Sequence, residues 1–449
     1  MATLTRRSVL HAGAGALLGG AALVAAGCGP TPGPGSTGGP GAGGKPAGKI
    51  TWSFWAVSQE QADSILARLK EFQAEFPEIQ VEASFSSAGG PYRERILSMV
   101  TAGTPPEVMQ VDAFSMAEFV DKQIVQRLDP YIKGDKSFKL DAYLPGGFME
   151  RHQIHNGVVY GVPNQSESPR VLFINKRRFQ EAGLTLPSDL EQQGRWNWDT
   201  YLDAATRLST GASPERSYGT REYLGVNAEQ HSWVFLNGGK VLSDDVKAFV
   251  GEMPDTMAAW QYQADLVLKH RVAPPPGENL GAGDPFVTGR VAVFVSGLWA
   301  AAPFVNIKDL DYGVVPLPKS PKGIRRTVLK PNALTIPTQV KGQPAAAAWE
   351  LMKFVAGPTY QKGLIRDGLA LTNLKDLVDY FHKNTPVRDP KVFTDALERR
   401  EVTPLPLFPR WTEFDQIVGE EMNKVRRGEV GLAAAVGNIK PRVADLLKG

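Results

Sequence analysis

The feature that most constrains the fold is a strand–helix–strand pattern at residues 50–85. Apolar and polar residues alternate over residues 50–55 and again over residues 79–85, which predicts two half-buried strands. Between them, apolar residues recur at helical spacing until Pro77, where the helix has to end. Two strands joined by a helix form a βαβ unit, in which the strands are parallel. The sequence therefore predicts an α/β fold with a mostly parallel sheet flanked by helices.

Further strands and helices are predicted along the rest of the chain. Short apolar runs predict buried strands at residues 108–111, 171–174 and 291–295. Apolar residues at helical spacing predict helices at residues 199–208, 256–269, 345–355 and 414–427. The segment around Trp233 is predicted to be a loop. No segment repeats with a period of about 20–50 residues, which argues against a solenoid or a propeller.

The first 48 residues differ in composition from the rest of the chain. Arg6 and Arg7 precede an Ala-, Gly- and Leu-rich stretch that ends at Cys28, and this pattern resembles a twin-arginine export signal followed by a bacterial lipobox. We expect residues 1–28 to be an export signal whose cysteine is lipidated, which would anchor the protein outside the cytoplasm on the cell membrane. The alternative is a frayed helix or a transmembrane anchor. Residues 29–48 contain nine Gly and five Pro, which predicts a disordered linker.

Composition and motifs argue against several functional classes. The 50 Lys and Arg residues against 47 Asp and Glu give a formal charge of +3, without the basic stripe that binds nucleic acid. One cysteine excludes a disulfide framework, and the six histidines show no metal-binding spacing. The sequence has no P-loop, no Rossmann glycine fingerprint and no Gly-x-Ser-x-Gly elbow. We therefore expect a protein that is not an enzyme and has no metal or cofactor. A hydrolase that uses two carboxylates brought together by the fold remains an alternative.

Aromatic residues beside polar ones lie at predicted strand ends and in predicted loops. In α/β folds ligands bind outside the carboxyl ends of the strands. An indole packs against the apolar face of a sugar ring, while nearby polar groups hydrogen-bond the sugar hydroxyls. The candidate contacts are Trp55, Ser58, Gln59, Asp112, Trp233, Trp299, Arg410 and Trp411. The other tryptophans in the body of the chain are interpreted as core residues: Trp52, Trp196, Trp198, Trp260 and Trp349.

Several segments occur in a specific order over residues 49–449. They are PEIQVEASF at 77–85, ILSMVTAGTPPEVMQVDA at 96–113, GVVYGVP at 157–163, VLFINKRRFQEAGLTLP at 171–187, WNWDTYLDAATRL at 196–208, FVTGRVAVFVSGLW at 286–299, YGVVPLP at 312–318 and AAAAWELMKFVAGPTYQKGLI at 345–365. In this order the chain resembles the extracellular solute-binding proteins of ABC importers, in the maltose-binding-protein-like family that binds sugars and oligosaccharides.

The resemblance implies a type II periplasmic-binding-protein fold, with two α/β lobes, three hinge crossings and a central ligand cleft. It places the N-lobe at residues 49–163 plus 330–370 and the C-lobe at residues 164–329 plus 371–449. The family's binding positions fall on the eight candidates above and on Glu167. Tyr92 is a further candidate at the edge of the cleft.

The resemblance also implies how such a protein works. A monomer would capture a sugar or oligosaccharide by hinge closure and deliver it to the transmembrane permease of an ABC importer. Three alternatives remain: a protein of the same fold that binds a glycerol phosphate ester, for which Arg410 would suit the phosphate; a lipid-anchored sensor that does not transport; and a lipid-anchored polysaccharide hydrolase.

Overall fold

Two β-sheets organise the part of the chain that the structure describes. The structure is a computed structural model, and it describes residues 45–56, 58–87, 90–144, 149–164, 168–212, 214–221 and 228–448. The predicted export signal, Cys28, most of the predicted linker, and Glu167 lie outside these residues.

The strands are β1 (Gly48–Ala56), β2 (Ile79–Ser87), β3 (Val108–Val111), β4 (Ile154–His155), β5 (Val158–Val159), β6 (Val162–Pro163), β7 (Val171–Asn175), β8 (Tyr218–Arg221), β9 (Val291–Ser296), β10 (Tyr312–Val315), β11 (Thr327–Leu329), β12 (Ala333–Thr335) and β13 (Val402–Pro404). The helices are α1 (Gln59–Glu75), α2 (Gly90–Thr101), α3 (Ala113–Asp121), α4 (Asp129–Gly134), α5 (Lys176–Glu181), α6 (Pro187–Gln192), α7 (Trp198–Leu208), α8 (Ala228–Leu236), α9 (Pro254–Leu268), α10 (Gly342–Ala356), α11 (Pro358–Arg366), α12 (Val378–Asn384), α13 (Lys391–Glu398), α14 (Trp411–Arg426) and α15 (Leu432–Leu446).

The first sheet has the strand order β2-β1-β3-β12-β6. β1 is parallel to β2, from Gly48 opposite Ile79 to Ala56 opposite Ser87, and it is also parallel to β3. β12 is antiparallel to β3 and to β6. Helix α1 joins β1 to β2 and ends before Pro77. The predicted βαβ unit is therefore confirmed.

The second sheet has the strand order β10-β7-β9-β8. β7 is antiparallel to both of its neighbours, and only the pair β8 and β9 is parallel. The prediction of a mostly parallel sheet is therefore wrong for this sheet, and in the first sheet only two of the four strand pairings are parallel. β7 and β9 are buried along their whole length, and a strand that is buried on both faces reads as a continuous apolar run in either direction.

The chain passes between the two sheets twice within the first 335 residues. β6 ends at Pro163 in the first sheet, and β7 begins at Val171 in the second. The chain returns between β11, which ends at Leu329, and β12, which begins at Ala333. The first sheet is thus built from segments that are far apart in sequence, because β12 joins it only after the return passage. All four strands of the second sheet lie between the two passages.

Tryptophan-rich cores pack against both sheets. Trp52 and Trp349 lie in the core of the first sheet, and Trp196, Trp198 and Trp260 lie in that of the second. All five are buried, so their interpretation as core residues is confirmed. Beyond the predicted helix at residues 414–427, the second core includes α15, which the sequence analysis did not predict.

A glycine in strand β8 allows helix α7 to pack closely on that strand. A Cβ atom on Gly219 in β8 would lie 2.0 Å from the backbone oxygen of Ala205 in α7. We expect Gly219→Ala to lower the free energy of unfolding by about 3 kcal/mol, because the backbone of α7 has to move. The matched control is Gly437→Ala at an exposed position of α15, where a Cβ meets nothing within 4 Å. It should raise the free energy of unfolding by about 0.8 kcal/mol. Urea denaturation measures both, and equal effects would contradict the close packing.

Candidate functional site

The candidate site lies beside the two passages in which the chain crosses from one sheet to the other. Gln153, which is fully buried, donates its side-chain amide to the backbone oxygens of Pro331 at 3.0 Å and Asn332 at 3.1 Å. The side-chain oxygen of Asn332 accepts a hydrogen bond from the backbone N–H of Ala113 at 3.1 Å. These bonds fix the return passage of the chain against the first turn of α3. Lys330 and the start of α3 are thereby held close together.

Trp55 ends β1 and is half-buried at the edge of the first sheet. Its ring meets Tyr92 edge-on, with 5.1 Å between the ring centroids. Tyr92 itself is only 3% exposed and donates its hydroxyl to the backbone oxygen of Ser53 at 2.9 Å, and burial raises the pKa of that hydroxyl. The expectation that Tyr92 lines the cleft edge is therefore wrong for this conformation. Tyr92 instead packs against the indole of Trp55 on the side that faces the protein interior.

Three of the polar candidates make hydrogen bonds at the N-terminal ends of helices. The Asp112 carboxylate accepts hydrogen bonds from the backbone N–H and the hydroxyl of Ser115, at 3.1 and 2.8 Å, and so caps α3. Ser58 caps α1 by accepting from the backbone N–H of Gln61 at 3.2 Å. Gln59 is exposed and donates to Asp63 at 2.8 Å. All three serve the local helix structure, so any ligand contact would come in addition to a capping or surface role.

Trp299 follows β9 directly and is half-buried. The guanidinium carbon of Arg170 lies 4.5 Å from the centroid of its ring, which is a cation–π arrangement. Arg170 is only 2% exposed and donates to the backbone oxygen of Ser168 at 3.1 Å. The hydroxyl of Ser168 accepts in turn from the backbone N–H of Leu298 at 2.6 Å. The first passage between the sheets therefore holds the indole of Trp299 in place.

Trp233 is not in a loop. It lies in α8, is 0% exposed, and packs against the rings of Trp198, Tyr201 and Tyr262 at centroid distances of 5.4–5.7 Å. The loop prediction is wrong, because the apolar residues that follow Trp233 continue a helix whose inner face joins the second core. In this conformation Trp233 is a core residue.

Trp411 is the first residue of α14 and is 1% exposed. Its ring stacks on Phe114 of α3, with 6.0 Å between centroids and 8° between planes. The ring of His231 lies 5.8 Å away. Trp411 therefore lies where α3 and α14 meet, in a position that is covered in this conformation.

The guanidinium of Arg410 makes polar contacts with helices α14 and α15. It donates to the carboxylate of Glu413, with a shortest distance of 2.6 Å, and to the backbone oxygen of Leu446 in α15. The Glu413 carboxylate raises the pKa of this guanidinium. In this conformation the Arg410 side chain binds Glu413 and the C-terminal end of α15. These contacts contradict the expectation that it points to a ligand.

Sequence reasoning missed three residues at this site. Phe114 and Arg170 contact the predicted tryptophans directly. Asp415 lies one helical turn after Trp411, and its carboxyl has no hydrogen bond or ion pair within the described ranges. A charged residue directly before a buried strand is a signal for Arg170, whereas Phe114 and Asp415 read as ordinary helix residues.

The described residues also limit the chemistry of the site. They contain no group of three or more His, Cys, Asp or Glu side chains placed to hold a metal ion. None of the helices in the described ranges has both the length and the hydropathy needed to cross a membrane.

The two sheets, the passages between them and the tryptophans at the strand ends define a two-lobe solute-binding fold. The chain belongs to the family of bacterial extracellular solute-binding proteins, whose family model matches residues 55–362. The resemblance seen in the sequence is therefore confirmed.

Solved structures share this fold over most of their length. An ABC substrate-binding protein of Listeria monocytogenes, in complex with cycloalternan, has a TM-score of 0.79 at 19% identity and covers 89% of this chain and 99% of that one. Maltose-bound MalE3 of T. maritima has a TM-score of 0.71 at 22% identity, with the same coverage. An ABC transporter extracellular-binding protein of Pyrococcus horikoshii is 23% identical over 322 residues, 66% of this chain. That match spans about 65% of the length of the Pyrococcus protein.

The carboxyl of Asp415 makes the stability of the protein depend on pH. Burial raises its pKa from 3.8 to about 6. The folded protein holds this proton more tightly than the unfolded chain, so this contribution is fully present below about pH 4 and is lost as the pH rises to about 6. We expect Asp415→Asn to raise the free energy of unfolding by about 1–2 kcal/mol at pH 7.5 and by much less at pH 4.5.

Urea denaturation at both pH values measures this difference. The matched control is Glu420→Gln on the same helix, because hydrogen bonds from Arg442 and Gln416 lower the pKa of that carboxyl. The control should lose a little stability at pH 7.5. A gain for Asp415→Asn that is the same at both pH values would contradict the burial of a charged carboxylate.

Proposed function

We propose that this protein is the solute-binding component of a bacterial ABC importer, and that it captures a sugar or an oligosaccharide between its two lobes. The observation that carries the proposal is the placement of Trp55 and Trp299, which are half-buried at the carboxyl ends of β1 and β9 in different sheets. An indole that is held by its neighbours but remains partly exposed suits the apolar face of a sugar ring. The relatives bound to cycloalternan and to maltose support the same ligand class.

The lobe boundaries proposed here follow the passages between the sheets. The N-lobe comprises residues 49–163 plus 330–370, and the C-lobe comprises residues 164–329 plus 371–449. The strands on either side of each passage support the first two crossings. A third crossing after α11 is supported because α11 contacts α1, whereas Phe381 of α12 packs in a cluster with Phe173 of β7.

The proposed mechanism is hinge closure without covalent chemistry. A sugar contacts one lobe, the second lobe rotates onto it, and the permease of the importer recognises the closed form. The sugar favours closure only through contacts that it gains in the closed form. Trp299 on one lobe and Trp55 on the other provide such contacts, and Arg170 holds the indole of Trp299 in position. We propose that the protein acts as a monomer, without a cofactor and without catalysis.

The glycerol phosphate alternative rests on Arg410. Its guanidinium is paired with Glu413 and with the end of α15, so a phosphate would first have to displace a carboxylate. This pairing favours a neutral sugar over a phosphate ester.

A sugar panel tests the proposed function. Thermal unfolding is followed with maltose, maltotriose, mannotriose, tagatose and glycerol 3-phosphate, and a sugar that binds should raise the melting temperature with concentration. Trp299→Ala should weaken the affinity for that sugar by about tenfold or more, because it removes the stacking surface. The matched control is Trp349→Phe, since Trp349 packs against Tyr131 and Phe138 in the core of the first sheet. Melting curves unchanged by every compound would contradict the proposal.

We also propose that the mature protein is anchored outside the cytoplasm by lipids on Cys28. The lipobox-like sequence and the Gly- and Pro-rich segment after it support this location. In a bacterial host, Cys28→Ser should move the protein from the membrane fraction to the soluble fraction. The matched control is Ser36→Ala in the linker, which should stay with the membrane. A Cys28→Ser protein that remains in the membrane fraction would contradict lipidation.

A further inference from the structure

The ring of Trp411 is covered by aromatic residues from both proposed lobes. Phe408, Phe414 and His231 cover it at centroid distances of 6.1, 5.1 and 5.8 Å, and all three fall in the proposed C-lobe with Trp411 itself. Phe114, on α3 directly after β3 of the first sheet, covers it from the other lobe. Within the described residues, Phe114 is the aromatic contact of Trp411 that a rotation of the lobes would remove.

The ring of Phe114 also contacts a cation. The amine of Lys330 lies 4.8 Å from the centroid of the Phe114 ring, and the backbone beside Lys330 is fixed by the bond from Gln153 to Pro331. Phe114 therefore contacts both Lys330 and Trp411, and it forms a stack of two rings with Trp411. A sugar ring between the two aromatic rings would need about 7–8 Å between their planes, since each van der Waals contact takes about 3.5–4.0 Å. The stack leaves no such space while Phe114 stays in place.

A cavity lies beside the stack, one turn further along α3. It has a volume of 290 Å³, and Ala117, Val120 and Phe408 contribute to its wall. Ala117 follows Phe114 by three positions, so it lies on the same face of the helix. The rest of the wall includes charged residues such as Glu150 and Arg151. The apolar part of the wall is where the side chain of Phe114 can turn when it leaves the face of Trp411.

We propose that Phe114 is an internal occupant of the sugar cleft, which stacks on Trp411 in place of a ligand ring and is displaced when a pyranose binds. This inference rests on the proposed function and specifies it further. A pyranose has a flat apolar face that replaces the phenyl ring on the indole, whereas an acyclic polyol phosphate has no such face. The indole of Trp411 therefore sets the preference for a ring, and Phe114 lowers the affinity by competing for that indole.

An internal occupant makes a prediction that an ordinary ligand contact does not. The contact between Phe114 and Trp411 stabilises the form that cannot accept the ring, and the apparent affinity falls with the population of that form. Removing the phenyl ring should therefore strengthen binding, by about 2- to 10-fold for an aromatic pair. A residue that stacks on the sugar itself would show the opposite sign.

Calorimetric titration with maltotriose compares two leucine variants. Phe114→Leu keeps a half-buried apolar side chain and should bind maltotriose about 2- to 10-fold more tightly than the unchanged protein. Phe408→Leu is the matched control, because Phe408 also contacts Trp411 but belongs to the same lobe. It should lower the melting temperature without tighter binding. Weaker or unchanged maltotriose binding by Phe114→Leu would overturn the proposal.

A second measurement tests the occupant without any sugar. In protein labelled with 5-fluorotryptophan, the fluorine signal of Trp411 is assigned by its loss in Trp411→Phe. Broadening of this signal by a soluble gadolinium chelate should increase in Phe114→Leu, since the lobes then uncover the indole. If no sugar binds to any variant, the proposed function fails, but this measurement still tests whether Phe114 covers Trp411. Increased broadening in Phe114→Leu would support that role of Phe114, and unchanged broadening would overturn it.

Discussion

The buried side chain of Gln153 is the constraint on which the rest of the site depends. One amide group donates to two consecutive backbone oxygens of the return passage, at Pro331 and Asn332. An amide buried in this way is costly unless it is fully paired, so the passage has little freedom to shift. Through Asn332 the same passage is bound to the start of α3. The position of α3, and with it that of Phe114, follows from a single buried hydrogen-bonding group.

The first passage is fixed by a comparable arrangement. Ser168 accepts from the backbone of Leu298, and Arg170 extends over the ring of Trp299. Both passages thus hold an aromatic residue of the candidate cleft through short polar contacts. A protein that works by hinge motion needs segments that are rigid in themselves and that move as parts of whole lobes. The observed bonds supply that local rigidity, and the aromatic contact between α3 and α14 is the part that lobe motion can break.

Local sequence patterns predicted the elements of this fold better than its long-range pairings. The βαβ unit at residues 50–85 follows from two alternating strands and a proline, which are local signals. The strand directions in the second sheet do not follow from local signals. β7 and β9 are buried on both faces, and their apolar runs do not indicate the direction of the strands. Trp260 and Trp349 could be predicted as core residues because they lie in helical runs that are rich in Ala. Trp52 could be predicted from the alternation of its strand, and Trp196 and Trp198 from their place at the start of a helix.

The candidate site was predictable only in part, for similar reasons. Trp55 is the next-to-last residue of β1 and Trp299 is the third residue after β9, so a strand-end rule finds both. Arg410 looked available because its partner Glu413 lies one helical turn away on a helix whose start was predicted too late. Phe114 was missed because its importance comes from Trp411, which lies about 300 residues further along the chain. No local pattern reports a contact of that kind.

The central claim is that the two lobes move relative to each other around a bound sugar. The most direct measurement is the distance between one spin label on each lobe, introduced by Lys70→Cys and Lys269→Cys in the full chain with Cys28→Ser. The account predicts that titration with the tightest-binding sugar of the panel shifts the distance distribution in a saturable way. The midpoint of that shift should equal the dissociation constant from calorimetry. Calorimetric binding with an unchanged distance distribution would contradict the account.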